Sequence, residues 1–140
     1  MRKLFVLLAA VIALAFTACN QNEPEKNDFE IIVSNVTSTS ADYQIVPHDL
    51  EATYVIMFFN ADISSNTDDQ VRADIKNAFD VLIKNLPNIT GYDFFLKTGI
   101  HEGHEADLNP GSITTLVATK MDAEGHFSGQ LCRKPIHTQE

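Results

Sequence analysis

The stretch "TYVIMFFN", residues 53–60, decides how the chain is built. In an extended strand Tyr54, Ile56 and Phe58 point one way, and Val55, Met57 and Phe59 the other. Both faces are apolar, so the strand has to be covered on both sides. One cover can be an opposing sheet. The other must come from elsewhere in the chain.

It follows within ten residues. Val71, Ile75, Ala78, Phe79, Leu82, Ile83 and Leu86 recur at helical spacing and predict an amphipathic helix over 68–86. Thr67 and Gln70 are placed to form a capping box, in which each side chain satisfies a free backbone amide. Asp68 and Asp69 sit where the helix dipole favours negative charge, and Pro87 ends the helix. The apolar stripe is expected to dock on the Val55, Met57 and Phe59 face through Val71, Ile75, Phe79 and Leu82. Arg72 and Lys76 lie off the stripe and are expected to face solvent.

Period-two patterns predict further strands on either side. Phe29, Ile31 and Val33 alternate with Glu30, Ile32 and Ser34, and Ala41, Tyr43 and Ile45 alternate with Asp42 and Gln44 up to Pro47. Residues 114–120 are rich in β-formers, Asp122 to Gly125 reads as a hairpin turn, and Phe127 to Cys132 returns as a last strand. "GYDFFLKTG", residues 91–99, reads as a second short helix over 92–98 stopped by Gly99. Residues 134–140 read as a frayed tail.

"LNPGSITTLVATKMDAEGHFSG", residues 108–129, resembles the end of a fibronectin type III domain. There a Leu-x-Pro-Gly turn leads into a strand, an Asp-x-x-Gly hairpin and a final strand. "FEIIVSNVTSTSADYQIVP", residues 29–47, is similar to the first two strands of that domain. The resemblance implies a mainly β fold over residues 29–133: a type III-like β-sandwich with a helical insertion after the third strand, as in surface lipoproteins of Bacteroidetes. The core Trp expected near Ile45 and the tyrosine-corner Tyr expected near Thr114 are both absent.

The start of the chain speaks to location. Arg2 and Lys3 precede an apolar run from Leu4 to Phe16, which is too short to span a bilayer, a task for roughly 20 residues. Charge, length and small residues together read as a signal peptide over residues 1–18. Phe16-Thr17-Ala18-Cys19 resembles the bacterial lipobox, although Phe16 stands where Leu is usual. The resemblance implies cleavage before Cys19, a diacylglyceryl group on its sulfur and an acyl chain, such as palmitate, on the new amino terminus. Residues 19–28 then form the anchor and a polar tether, whose Glu23, Glu25 and Asp28 loosely resemble surface-export signals. The implied location is the outer membrane, surface-exposed or on its periplasmic face.

Loss of residues 1–18 removes two cations and no acid, and takes the net charge from −9 to −11. Such a chain lacks the basic patch that nucleic acid binding needs. Once Cys19 is acylated, Cys132 has no cysteine in its own chain to pair with, and reads as a small buried residue of the last strand.

One constellation could carry chemistry, "HEGHE" at residues 101–105. His101, His104 and Glu105 are weak candidate metal ligands, and His48, His126 and His137 could in principle add to them. A metalloprotease helix needs His at i and i+4; here the spacing is i and i+3, with Gly103 between. The stretch is expected to be a solvated loop. No nucleophile elbow or phosphate loop is visible. The expectation is therefore a non-enzymatic lipoprotein without cofactor, anchored in the bilayer, that binds a protein or glycan. The alternatives are an inhibitor or accessory subunit of a secreted enzyme, and a metal-dependent hydrolase built on His101 and His104.

Overall fold

The structure, a computed structural model, describes residues 27–140. It is mainly β, with six strands in two antiparallel sheets and one long helix. In the first sheet β1 (Phe29–Ser34) pairs with β2 (Ala41–Pro47), and β2 with β4 (His101–Glu105). In the second, β3 (Tyr54–Phe59) pairs with β5 (Ile113–Met121), and β5 with β6 (Phe127–His137).

The two sheets share a core. Phe29, Ile31, Ala41 and Ile45 come to it from the first sheet, and Tyr54, Leu116, Ala118 and Ile136 from the second. Tyr54 is fully buried, meets Phe29 edge to face with centroids 5.1 Å apart, and donates its hydroxyl to the carbonyl of Gly99 at 2.7 Å. That bond satisfies the one polar atom of an otherwise apolar side chain. Burial pushes the Tyr54 phenol up to about 12.

The two-faced reading of β3 holds. Helix α1 (Asp68–Asn85) lies on the outer face of the second sheet. There Val71, Ile75 and Phe79 are buried with Val55, Val117, Met121 and Leu131, and Met57 and Phe59 pack against them. Each such side chain contributes about 1.5–3 kcal/mol by leaving water. The Thr67–Gln70 capping box forms as expected, with Thr67 Oγ1 accepting from the Gln70 amide at 3.2 Å and Gln70 Oε1 from the Thr67 amide at 2.9 Å.

Several expectations are corrected. Leu82 was expected to pack and is 38% exposed, because the C-terminal turns of α1 lie beyond the buried cluster. Arg72 and Lys76 do not simply face solvent. Arg72 Nη2 donates to the carbonyls of Gly129 at 2.7 Å and Ser128 at 3.2 Å, and its Nε to Thr119 Oγ1 at 3.2 Å. Lys76 donates to the Tyr92 hydroxyl at 2.8 Å and pairs with Asp80 at 3.4 Å. The guanidinium caps carbonyls of the β5–β6 hairpin that the ladder leaves accessible, so its long stem is recruited to the sheet.

The expected helix over 92–98 is a single 3-10 turn, Tyr92–Phe95, after which Lys97 forms a β-bridge to Tyr54. Backbone bonds across that bridge, 3.0 and 2.8 Å long, draw the chain into extended form before a second helical turn can close. Nor are residues 134–140 a frayed tail. β6 continues to His137, Ile136 is buried, and Thr138 Oγ1 donates to the Asn109 carbonyl at 2.5 Å. Cys132 is fully buried in β6, with Sγ 3.8 Å from the carbonyl oxygen of Phe29.

Candidate functional site

The outer face of the second sheet is closed by α1, whereas the outer face of the first carries a shallow polar groove. Its geometry follows from strand alternation. In β2 Tyr43 and Ile45 turn towards the core, which sends Asp42 and Gln44 outward. The β2–β4 register sets Asp42 opposite His104 and Gln44 opposite Glu102, and β1 adds Ser34 opposite Asp42 and Ile32 opposite Gln44. The result is a groove of about 480 Å³ whose lining includes Ile32, Ser34, Asp42, Gln44 and Glu102.

Two side-chain rows stiffen this face. His104 Nδ1 donates to Asp42 Oδ1 at 2.6 Å, and Asn35 Nδ2 to Asp42 Oδ2 at 2.8 Å. Those two donors, His104 first, hold the Asp42 carboxyl below the usual carboxylate range. One step along, Gln44 Nε2 donates to Glu102 Oε1 at 2.8 Å. The rows are exposed, and Asp42, Gln44 and Glu102 of them line the groove. Such an array suits a polar ligand lying across a flat sheet.

The "HEGHE" stretch is strand β4, not a loop. A strand sends residues i and i+3 to opposite faces, so the two histidines part company. His104 joins Asp42 on the outside. His101 turns inward, where its Nε2 lies 3.4 Å from the Tyr43 hydroxyl. Burial, and secondarily Lys97, lowers its pKa. Glu105 lies on the same side as His101 but four residues along, about 13 Å at the rise of a strand. His101 and His104 are therefore not arranged to share one ion. Among the described residues no group of three or more His, Cys, Asp or Glu side chains is placed to hold a metal. His48 and His137 are exposed elsewhere, and His126 pairs with Asp122 in the β5–β6 turn at 3.3 Å. Cys19 lies outside the described residues.

Gly103 explains why β4 was missed. It pairs directly with Tyr43, and a Cβ there would collide with the tyrosine hydroxyl and ring. The inward positions of β4 are thus His, Gly and Glu, none of which signals a strand by hydropathy. Asp42, Gln44 and Glu102 escaped notice as site residues too. The alternation of "ADYQIVP" marks the first two as outward-facing, but only the register across strands 58 residues apart gathers them with Glu102.

No protein-family model matches this sequence, and no curated protein matches it. Among solved structures, the chain is similar to the sensor domain of the anti-sigma factor RsgI4 in Pseudobacteroides cellulosolvens. The two are 13% identical, the match covers 81% of this chain and 96% of that one, and the TM-score is 0.40. Likeness at that level carries no argument about activity.

Proposed function

We propose that this chain is a non-enzymatic, lipid-anchored envelope protein that displays a type III-like β-sandwich as a binding or scaffolding module. The observation that carries the binding reading is the asymmetry of the two sheets. One outer face is sealed by α1 and pinned by Arg72. The other presents the groove of Asp42, Gln44 and Glu102. The strand order β1-β2-β4 against β3-β5-β6 supports the type III-like reading, because it matches A-B-E against C-F-G of immunoglobulin-like sandwiches, with the helix inserted in sequence between the C and E equivalents. Glycan or protein ligands both fit a flat polar face, and the preference is for a glycan or other polar, uncharged ligand, since the carboxylates of Asp42 and Glu102 are already hydrogen-bonded.

The anchoring half of the proposal rests on "LAFTACNQNEPEK". With several acyl chains, each buried methylene adding about 0.8 kcal/mol, attachment is stable. The chain has two cysteines. A Cys19 sulfur bound to lipid has no valence left for a disulfide, so the two are alternative fates of the same atom. The outer membrane is the proposed location, with the module facing outward. Binding is tested by screening the purified protein against glycan and envelope-protein arrays, with Gln44→Ala and Glu102→Ala as controls. The proposal expects at least one ligand whose signal falls in both variants. Ligands that ignore both substitutions would place binding elsewhere.

A further inference from the structure

β4 is an edge strand: it pairs with β2 on one side only, and no other backbone hydrogen bond involves residues 101–105 among the described residues. An unpaired edge is a template for another strand, and proteins usually protect it with charge, proline or a bulge. This edge carries none of the usual lysines. It carries His-Glu-Gly-His-Glu, with Glu102 and His104 exposed.

That order has a symmetry that bears on what can pair with it. Antiparallel pairing of two β4 strands about a two-fold axis through Gly103 sets His101 against Glu105 and Glu102 against His104, and each pair occurs twice by symmetry. Every carboxylate then faces an imidazole. The next register of the same facing, centred on Glu102, opposes two glutamates; the one centred on His104 opposes two imidazoles. An imidazole N–H can donate to a carboxylate directly across an antiparallel pair, whereas two carboxylates set opposite each other repel. Each imidazole also keeps a nitrogen for the task. His104 uses Nδ1 for Asp42 and has Nε2 left to reach across, while His101 turns Nε2 towards Tyr43 and has Nδ1 left. At the centre Gly103 has no side chain to obstruct the approach, and the Tyr43 ring beneath it requires that glycine.

We propose that the β4 edge is a self-association surface, and that its partner is β4 of a second copy of this chain. The two first sheets then join into one continuous six-stranded sheet. Five residues a side bury little area, which places the contact in the weak, transient class below about 1,200 Å². Association is therefore concentration-dependent.

Sedimentation equilibrium of the full chain, in detergent if membrane-retained, tests this. The wild type is expected to dimerise by about 1 mM, and Glu102→Lys/Glu105→Lys and His101→Glu/His104→Glu are each expected to remain monomeric. Mixed together, the two variants again set a carboxylate against an imidazole or an ammonium in every side-chain pair, and a heterodimer is expected. Hydrogen exchange on the wild type needs no variant to fold: protection of the amides in 101–105 should rise with dimer fraction. A wild type monomeric at that concentration, a dimer that survives Glu102→Lys/Glu105→Lys, or exchange in β4 that ignores concentration would each overturn the proposal.

Discussion

Phe79 on α1 stacks face to face on Phe95 of the 3-10 turn, their ring centroids 4.0 Å apart and their planes within 8°. Phe79 also belongs to the cluster that closes the outer face of the second sheet. One ring thus joins the helix, the sheet and the segment that leads to β4. Replacing it with alanine removes buried area and leaves a cavity between two elements that cannot both move in. Phe79→Ala is expected to cost about 3–5 kcal/mol, read from the urea midpoint. No measurable change would mean that α1 is not held on β3.

Arg72 is expected to be structural. Its guanidinium makes three hydrogen bonds to β5 and β6, and partial exposure discounts their worth. Arg72→Met, which keeps the apolar stem, is expected to lose about 1–3 kcal/mol and to speed amide exchange in the first turns of α1. Exchange confined to the wild-type rate would show that the bonds are not held in solution.

Gly103→Ala tests the packing of β4 on β2. The added methyl meets the Tyr43 side chain, so the strand or the ring must shift, at about 1–3 kcal/mol. Shortening the obstacle with Tyr43→Val in the same chain should make the two effects non-additive, with part of the loss recovered. Simple additivity would mean that the two residues do not touch.

The pH dependence has a definite sign. Burial, then Lys97, holds His101 below the ordinary imidazole value of 6.5. Between that value and the folded pKa, the unfolded chain binds a proton that the folded chain does not, so stability falls as pH falls through this window. Above 6.5 both states are neutral at His101 and it contributes no slope. Asp42 acts in a separate window: its lowered pKa stabilises the fold above 3.8 and that share is lost as pH falls below it. His101→Gln is expected to flatten the slope of denaturation midpoint against pH just below neutrality and to leave the acid limb in place. An unchanged slope would remove His101 as its source.

The parts of the fold legible in the sequence were those with a local signal. The double-faced apolar run fixed β3 and its need for two covers, and Thr67, Gln70, Val71, Ile75 and Phe79 marked α1 with its cap. β4 was not legible, because its inward residues are His101, Gly103 and Glu105 and its strand character comes from pairing with β2. The end of β6 was missed for a related reason: Pro135 reads as a breaker, yet β6 is an edge strand, where proline is tolerated. The groove was invisible as a site because Gln44 and Glu102 meet only through register. Arg72 was misread because helical periodicity places a residue's Cβ and says nothing of where a long side chain finds carbonyls.

Intact mass measurement of the chain purified from membranes reads the fate of Cys19 directly. The predicted result is an amino terminus at Cys19 bearing a diacylglyceryl thioether and an amide-linked acyl chain, with Cys19→Ala found outside the membrane fraction. An unmodified Cys19, a terminus at another residue, or a Cys19 recovered in a disulfide with Cys132 would contradict it.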